Sequence, residues 1–232
     1  MSNMLNFLSA GAAQGLLRAL QAGFEADSGC VLQGRFGAVG AMKEALMAGE
    51  PCDLLVLTDA LVKQLVDEGL LRRDSCAPLG RVRTGVAVRA DQSRPDVSTP
   101  DALRATLQAA DAIYFPDPVR ATAGIHFAKV MQELGVFDEL QPRFCTFPNG
   151  ATAMRELAAS TTQHPVGCTQ VTEILYTTGV HLAAVLPAQF ELATPYTAAV
   201  TTASTQALAA GQLVALMSGA ASMALRQAGG FE

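Results

Sequence analysis

The stretch Phe115-Pro116-Asp117-Pro118-Val119-Arg120-Ala121-Thr122-Ala123-Gly124-Ile125-His126 gathers the residue types that bind a small anion. The two prolines cannot donate to a sheet ladder and bias their predecessors toward extended geometry, so a strand over 112–115 is expected to stop there. Thr122 then opens a helix whose apolar face continues through Phe127, Val130, Met131 and Leu134. The first N–H groups of a helix have no intrahelical acceptor and sit at its positive dipole end. Arg120 adds a full charge to that spot and Thr122 a hydroxyl, with the amide of Ala123 alongside. His126 is either a cleft acid or base or a core histidine. Asp117, set between prolines, reads first as a turn former that bonds its own backbone, and second as a base.

Other candidates lie further along the chain. Arg35 and Arg120 suit carboxylates, because a planar guanidinium binds two oxygens at once. Arg83 either faces a ligand or pairs with a surface acid. Thr58 and Asp59 read as a helix cap, Tyr196 as a hinge-packing residue or a hydroxyl donor to ligand, and Glu173 as a capping or catalytic carboxyl. His164 and His181 fall beside loops.

Composition narrows the partners. The chain has 232 residues, 50% hydrophobic and 16% charged, enough to bury a sizeable core in one large or two modest domains. A net charge of -5 argues against nucleic acid or anionic membrane as the main partner, since both require a basic surface. There is no Trp, and 6% aromatic residues leave little for base or sugar stacking. Five Cys at 30, 52, 76, 145 and 168 form no CxxC pair and no Cys/His cluster, so buried free thiols and a reducing compartment are expected, without metal or cofactor. The glycines at 34, 37 and 40 match neither a Walker loop nor a dinucleotide fingerprint, and neither a GxSxG elbow nor an HExxH helix occurs. No run reaches the roughly 18 to 20 apolar residues that would span a bilayer. Residues 1–7 carry no Lys or Arg and no long apolar run, so the chain as written is expected in the cytoplasm. Loss of an export signal would instead make it periplasmic, with an ABC permease as partner.

The elements that must position these residues follow from periodicity. Apolar runs at 4–9, 30–36 and 53–57 alternate with helical patterns at 13–26, 39–47 and 60–68, which predicts three βα units and a mainly parallel sheet. Residues 80–89 alternate early between charged and apolar side chains and read as a ribbon leaving one domain for another. A second series follows: helix 100–107, strand 112–115, helix 122–134, strand 144–147, helix 150–158, strand 165–168 and a short helix at 171–176. Return strands at 181–186 and 194–201 and two closing helices, 205–217 and 220–227, complete the chain. The expected architecture is α/β with two lobes, residues 1–83 plus 195–232 and residues 84–194, joined by crossing strands with a cleft between them.

That order, together with Leu8-Ser9-Ala10-Gly11-Ala12-Ala13, Phe36-Gly37-Ala38-Val39-Gly40, Glu50-Pro51-Cys52-Asp53-Leu54-Leu55-Val56-Leu57-Thr58-Asp59, Gly85-Val86-Ala87-Val88 and Gly167-Cys168-Thr169-Gln170-Val171-Thr172-Glu173-Ile174, resembles the type II periplasmic solute-binding fold over almost the whole chain. Within it, the relatives of the molybdate-binding protein of ABC uptake systems are the nearest pattern. The resemblance implies a ligand held by the first loop at Ala12 and Ala13, the second-helix start at Val39, the loop at Thr58, the turn over 116–124 and the loop at Thr169 and Gln170. Molybdate binders place hydroxyl residues in the first loop and before the second helix; the matching Ala12 and Val39 offer backbone amides alone. The stretch Gln170-Val171-Thr172-Glu173-Ile174 and the Asp-Pro turn resemble the branch that includes bacterial aconitate isomerase. Two functions follow as expectations: binding of a small organic anion, a di- or tricarboxylate before an inorganic oxyanion, or an isomerase performing an allylic proton shift on a tricarboxylate, with His126 and Glu173 as base and acid.

Overall fold

The computed structural model describes residues 3–232. It divides into two compact units, the first comprising the chain to Arg81 together with Thr194–Glu232, the second Val82–Ala193.

In the first unit, β1 (Met4–Ala10), β2 (Val31–Gly37) and β3 (Leu54–Thr58) form a parallel sheet in the order β2-β1-β3. Leu5, Phe7, Leu8 and all four apolar residues of β3 are essentially inaccessible, as expected of strands covered on both faces. β9 (Ala193–Val200) then returns to pair antiparallel with β3 in an otherwise parallel sheet, with Thr58 opposite Tyr196. Helices α1 (Gln14–Ser28), α2 (Val39–Met47) and α3 (Asp59–Asp67) each follow a strand, and α9 (Ala207–Ser218) and α10 (Met223–Ala228) close the chain. Gly34 is required by the pairing itself, because a Cβ there would overlap the Phe7 carbonyl on the adjacent strand. Asp53, 3% exposed, ties the unit together: one carboxylate oxygen takes the Asn6 N–H, the other the Ser204 hydroxyl and the N–H groups of Thr205 and Gln206 just ahead of α9.

The thirteen-residue β4 (Ala77–Arg89) carries the chain from the first unit into the second. There it lies between β7 (Pro165–Gln170) and β8 (Val180–Val185), antiparallel to both. β5 (Ala112–Pro116) pairs parallel with β7 on one side and with β6 (Phe144–Phe147) on the other. Around this sheet stand α4 (Pro100–Ala109), α5 (Thr122–Glu133), the single turn α6 (Phe137–Leu140), α7 (Gly150–Ala159) and α8 (Val171–Tyr176). The short α6 has no counterpart in the sequence reading, since one turn of helix shows no period to detect. β5 runs one residue past its expected end: Pro116 pairs with Phe147 without needing a donor, because the ladder bond there is made by the Asp117 N–H to the Phe147 carbonyl.

The two faces of this sheet carry separate cores. On one, Val86 and Cys168 pack with Phe115, Phe127, Val130 and Met131. On the other, Ala87 packs with Met154, Leu157 and Ile174. Among the described residues no single helix is long and apolar enough to cross a membrane.

Candidate functional site

In each unit the predicted residues collect at the carboxyl ends of the parallel strands, the edge at which ligands bind in open α/β sheets. Ala10 pairs with Gly37, and Ser9 with Val56, so register brings the chain after β1, β2 and β3 to a common level. Ala12 and Ala13, Val39 and Thr58 sit there, at or beside the starts of α1, α2 and α3. None of these three helices has a side-chain cap. Thr58 occupies the cap position of α3 without making the capping bond; Asp59 instead accepts from the Thr197 hydroxyl and pairs with Lys63, and the Lys63 bond, with Thr197 second, holds its carboxyl below the ordinary range.

Two first-unit candidates are otherwise engaged. Arg35 does not stand ready for a carboxylate: its guanidinium holds Glu50 at 2.9 and 2.6 Å in an exposed two-point pair. Its position on β2, two residues short of the strand end, puts it beside the return to β3, where Glu50 lies. Tyr196 is 2% exposed and meets the ring of Phe231 edge-on.

In the second unit the parallel register sets Tyr114 beside Gly167 and thus the Pro116 turn level with Thr169 and Gln170. Arg83 precedes Thr84, which pairs with Gln170, so Arg83, Arg120, Thr122, Ala123, Thr169 and Gln170 belong to one edge. The turn is built by Asp117, whose Oδ1 accepts the N–H groups of Val119 and Arg120 at 2.7 and 3.1 Å while its carbonyl accepts that of Ala121. Asp117 is therefore a turn former. Gly124 lets α5 start hard against this turn, since a Cβ there would overlap the carbonyls of Pro116 and Asp117.

α5 begins without a side-chain cap. The Ile125 N–H is the first to bond within the helix, to Ala121, so those of Thr122, Ala123 and Gly124 have no intrahelical acceptor. They form a concentrated donor set at the positive end of twelve residues of helix. Arg120, exposed, stands two residues ahead of it. His126 lies on the Thr122 side of α5 at i+4, and its Nε2 is 2.8 Å from the Phe190 carbonyl. A carbonyl only accepts, so in the neutral ring Nε2 carries the proton and Nδ1 keeps its lone pair.

α7 starts differently. Asn149 caps it by accepting the Thr152 N–H, and the carboxylate of Glu173, 6% exposed, reaches its first turn. Glu173 accepts the Thr169 hydroxyl at 2.6 Å and the backbone N–H groups of Ala151, Gln170 and Gly150. Burial raises its pKa against the opposing pull of those bonds. Both Thr169 and Glu173 are thus spent on each other and on α7, and Gly150 is needed because a Cβ would overlap Thr169 Oγ1 and Glu173 Oε2. Of the capping and catalytic readings of Glu173, the hydrogen bonds match capping, at the start of α7. The reason is long-range: the sheet brings β6 and β7 side by side around β5, so the α7 start and α8 meet, which no local pattern reports.

Thr84 and Thr172 escaped the sequence reading. Each hydroxyl is buried with no hydrogen-bond partner among the described residues. Two threonines among the chain's eighteen give no sequence signal; only burial without a partner marks them. Among the described residues no group of three or more His, Cys, Asp or Glu is arranged to hold a metal. The five cysteines are free, Cys30 and Cys168 buried, and burial pushes the Cys52 thiol up to about 12.

Residues 5–232 match the family model of the bacterial extracellular solute-binding proteins, and the chain belongs to that family. Among solved structures, the periplasmic molybdate-binding protein of Azotobacter vinelandii superposes with a TM-score of 0.80 at 19% identity, covering 98% of both chains. The sulfate-binding protein of Mycobacterium tuberculosis gives 0.74 at 18% identity, over 99% of this chain and 86% of that one. These establish the type II periplasmic-binding-protein fold. In sequence the chain is similar to an aconitate isomerase of a Pseudomonas species, 26% identical over 219 residues, 90% of this chain and 80% of that protein.

Proposed function

We propose that this solute-binding protein takes a small organic anion, a di- or tricarboxylate, at the start of α5. The observation that carries the reading is the uncapped first turn of α5, set behind the Asp117 turn, with Arg120 two residues ahead. Three amides in an arc suit one carboxylate, and a guanidinium suits a second. The similarity to an enzyme named for aconitate, a tricarboxylate, supports the same ligand class.

A thermal-shift screen tests this: citrate, cis-aconitate, trans-aconitate and tricarballylate are set against sulfate, molybdate and tungstate. The carboxylates are expected to raise the melting temperature most, and an inorganic oxyanion doing so instead would reverse the assignment. Arg120→Ala is expected to weaken carboxylate binding by about tenfold or more, since an ionic hydrogen bond is lost at the site. Unchanged affinity by calorimetry removes Arg120 from it.

A second reading, isomerisation, is favoured by the state of His126. With Nε2 held by the Phe190 carbonyl, Nδ1 is the basic nitrogen, and removal of a proton beside a carboxylate is chemistry for such a base. This reading assigns His126 alone, since Glu173 is bonded at the α7 start. Incubation with cis-aconitate in deuterated water, followed by NMR, decides: label in trans-aconitate supports catalysis, and neither interconversion nor label uptake leaves binding alone.

A further inference from the structure

We propose that Thr84 is a ligand-contacting, specificity-determining residue of the α5 site, its hydroxyl reserved for an anionic ligand; the assignment rests on the anion-binding reading above. Thr84 is 1% exposed, and its Oγ1 has no hydrogen-bond partner among the described residues. Its backbone is satisfied, the N–H bonding Leu192 and the carbonyl accepting from Leu186, so the hydroxyl alone is left over. A buried hydroxyl without a partner is costly, and native proteins rarely keep one without a use for it.

The ladder tells which way Thr84 points. Residues directly opposite one another in an antiparallel pair project to the same face, and successive residues alternate. Thr84 faces Gln170, and two residues on Val86 faces Cys168. Val86 and Cys168 pack with Phe115 and Phe127, so this is the α5 face. The alternate row, Gly85 with Thr169 and Ala87 with Gly167, belongs to the α7 face, where Thr169 meets Glu173. Thr84 is the last of its row toward the edge at which the Pro116 turn leads into α5. A buried hydroxyl with no partner and a helix start with no cap therefore share one face and one edge of the sheet. The starts of α5 and α7 differ in this respect: α7 has the carboxylate of Glu173, and α5 has no side-chain cap. A hydroxyl donates to a carboxylate and also accepts from a ligand hydroxyl, which makes Thr84 fit for polycarboxylates, hydroxylated ones included.

The test uses the full chain and Thr84→Val, which keeps the shape and deletes the hydroxyl, with Thr84→Ser as the conservative control. Citrate, cis-aconitate and trans-aconitate are titrated by calorimetry, and the melting temperature is recorded without ligand. The expected result is a split: Thr84→Val melts at or above the wild-type temperature, because no bond is lost, yet binds the best of the three anions about tenfold more weakly or worse, while Thr84→Ser stays near wild type. A Thr84→Val protein that binds as well as wild type overturns the assignment and leaves the anion site standing. A clearly lowered melting temperature without ligand also overturns it, because the hydroxyl then has a structural partner. Wild type binding none of the anions sinks the anion reading itself and this assignment with it.

Discussion

Glu173 is a buried carboxyl whose hydrogen bonds all lie within the fold around the α7 start. Its four donors come from Thr169, Gln170, Gly150 and Ala151, and Glu173→Gln would turn an amide NH2 toward N–H groups that need an acceptor. A loss of about 1–3 kcal/mol in folding stability is expected, read from urea unfolding. The pH dependence is equally specific. Burial raises the folded pKa above the unfolded-chain value of 4.5, so the folded protein holds this proton more tightly. Its contribution to stability is full below that value and is lost as pH rises through the raised folded pKa. Glu173→Gln should remove this decline from the pH profile; an identical slope in both proteins would show that Glu173 titrates as it does in the unfolded chain. His126 differs in kind: its ring is oriented by one carbonyl and keeps a basic nitrogen, so its substitution should leave stability nearly intact and act on ligand or chemistry.

At the scale of elements, the starts of α5 and α7 follow adjacent strands and are finished in opposite ways. Asn149 and Glu173 complete α7 internally, while α5 is pressed against its turn by Gly124 and left open. Gly150→Ala should disturb the α7 start, because the added Cβ overlaps two buried oxygens that are themselves bonded; a cost of about 1–3 kcal/mol is expected, as for other overpacked interiors. Carboxylate affinity of Gly150→Ala, measured by calorimetry, should fall less than that of Arg120→Ala if the ligand takes the proposed place at α5. The reverse order would place the ligand at α7.

For the molecule as a whole, ligand binding and folding are linked. An anion present at a thousand times its dissociation constant stabilises the folded state by roughly 4 kcal/mol, which a melting scan detects readily. The effect should grow with ligand concentration without saturating, as mass action requires. A fixed small shift at all concentrations would mark a nonspecific salt effect instead.

Much of the architecture was legible along the chain. Continuous apolar runs and helical periods place the strands and helices within a few residues, because strands buried on both faces and helices with one buried face impose those patterns locally. The Asp117 turn and the open start of α5 were legible for the same reason: prolines, an Asp and the following small residues act within a few positions of themselves. What periodicity does not carry is partnership across the sheet. That Arg35 is held by Glu50, that Thr169 and Glu173 serve α7, and that Thr84 lies opposite Gln170 with its hydroxyl unanswered depend on strand order and register. Those are decided by the packing of segments remote in sequence, so tertiary structure alone separates the polar groups the fold consumes from those it leaves for a ligand.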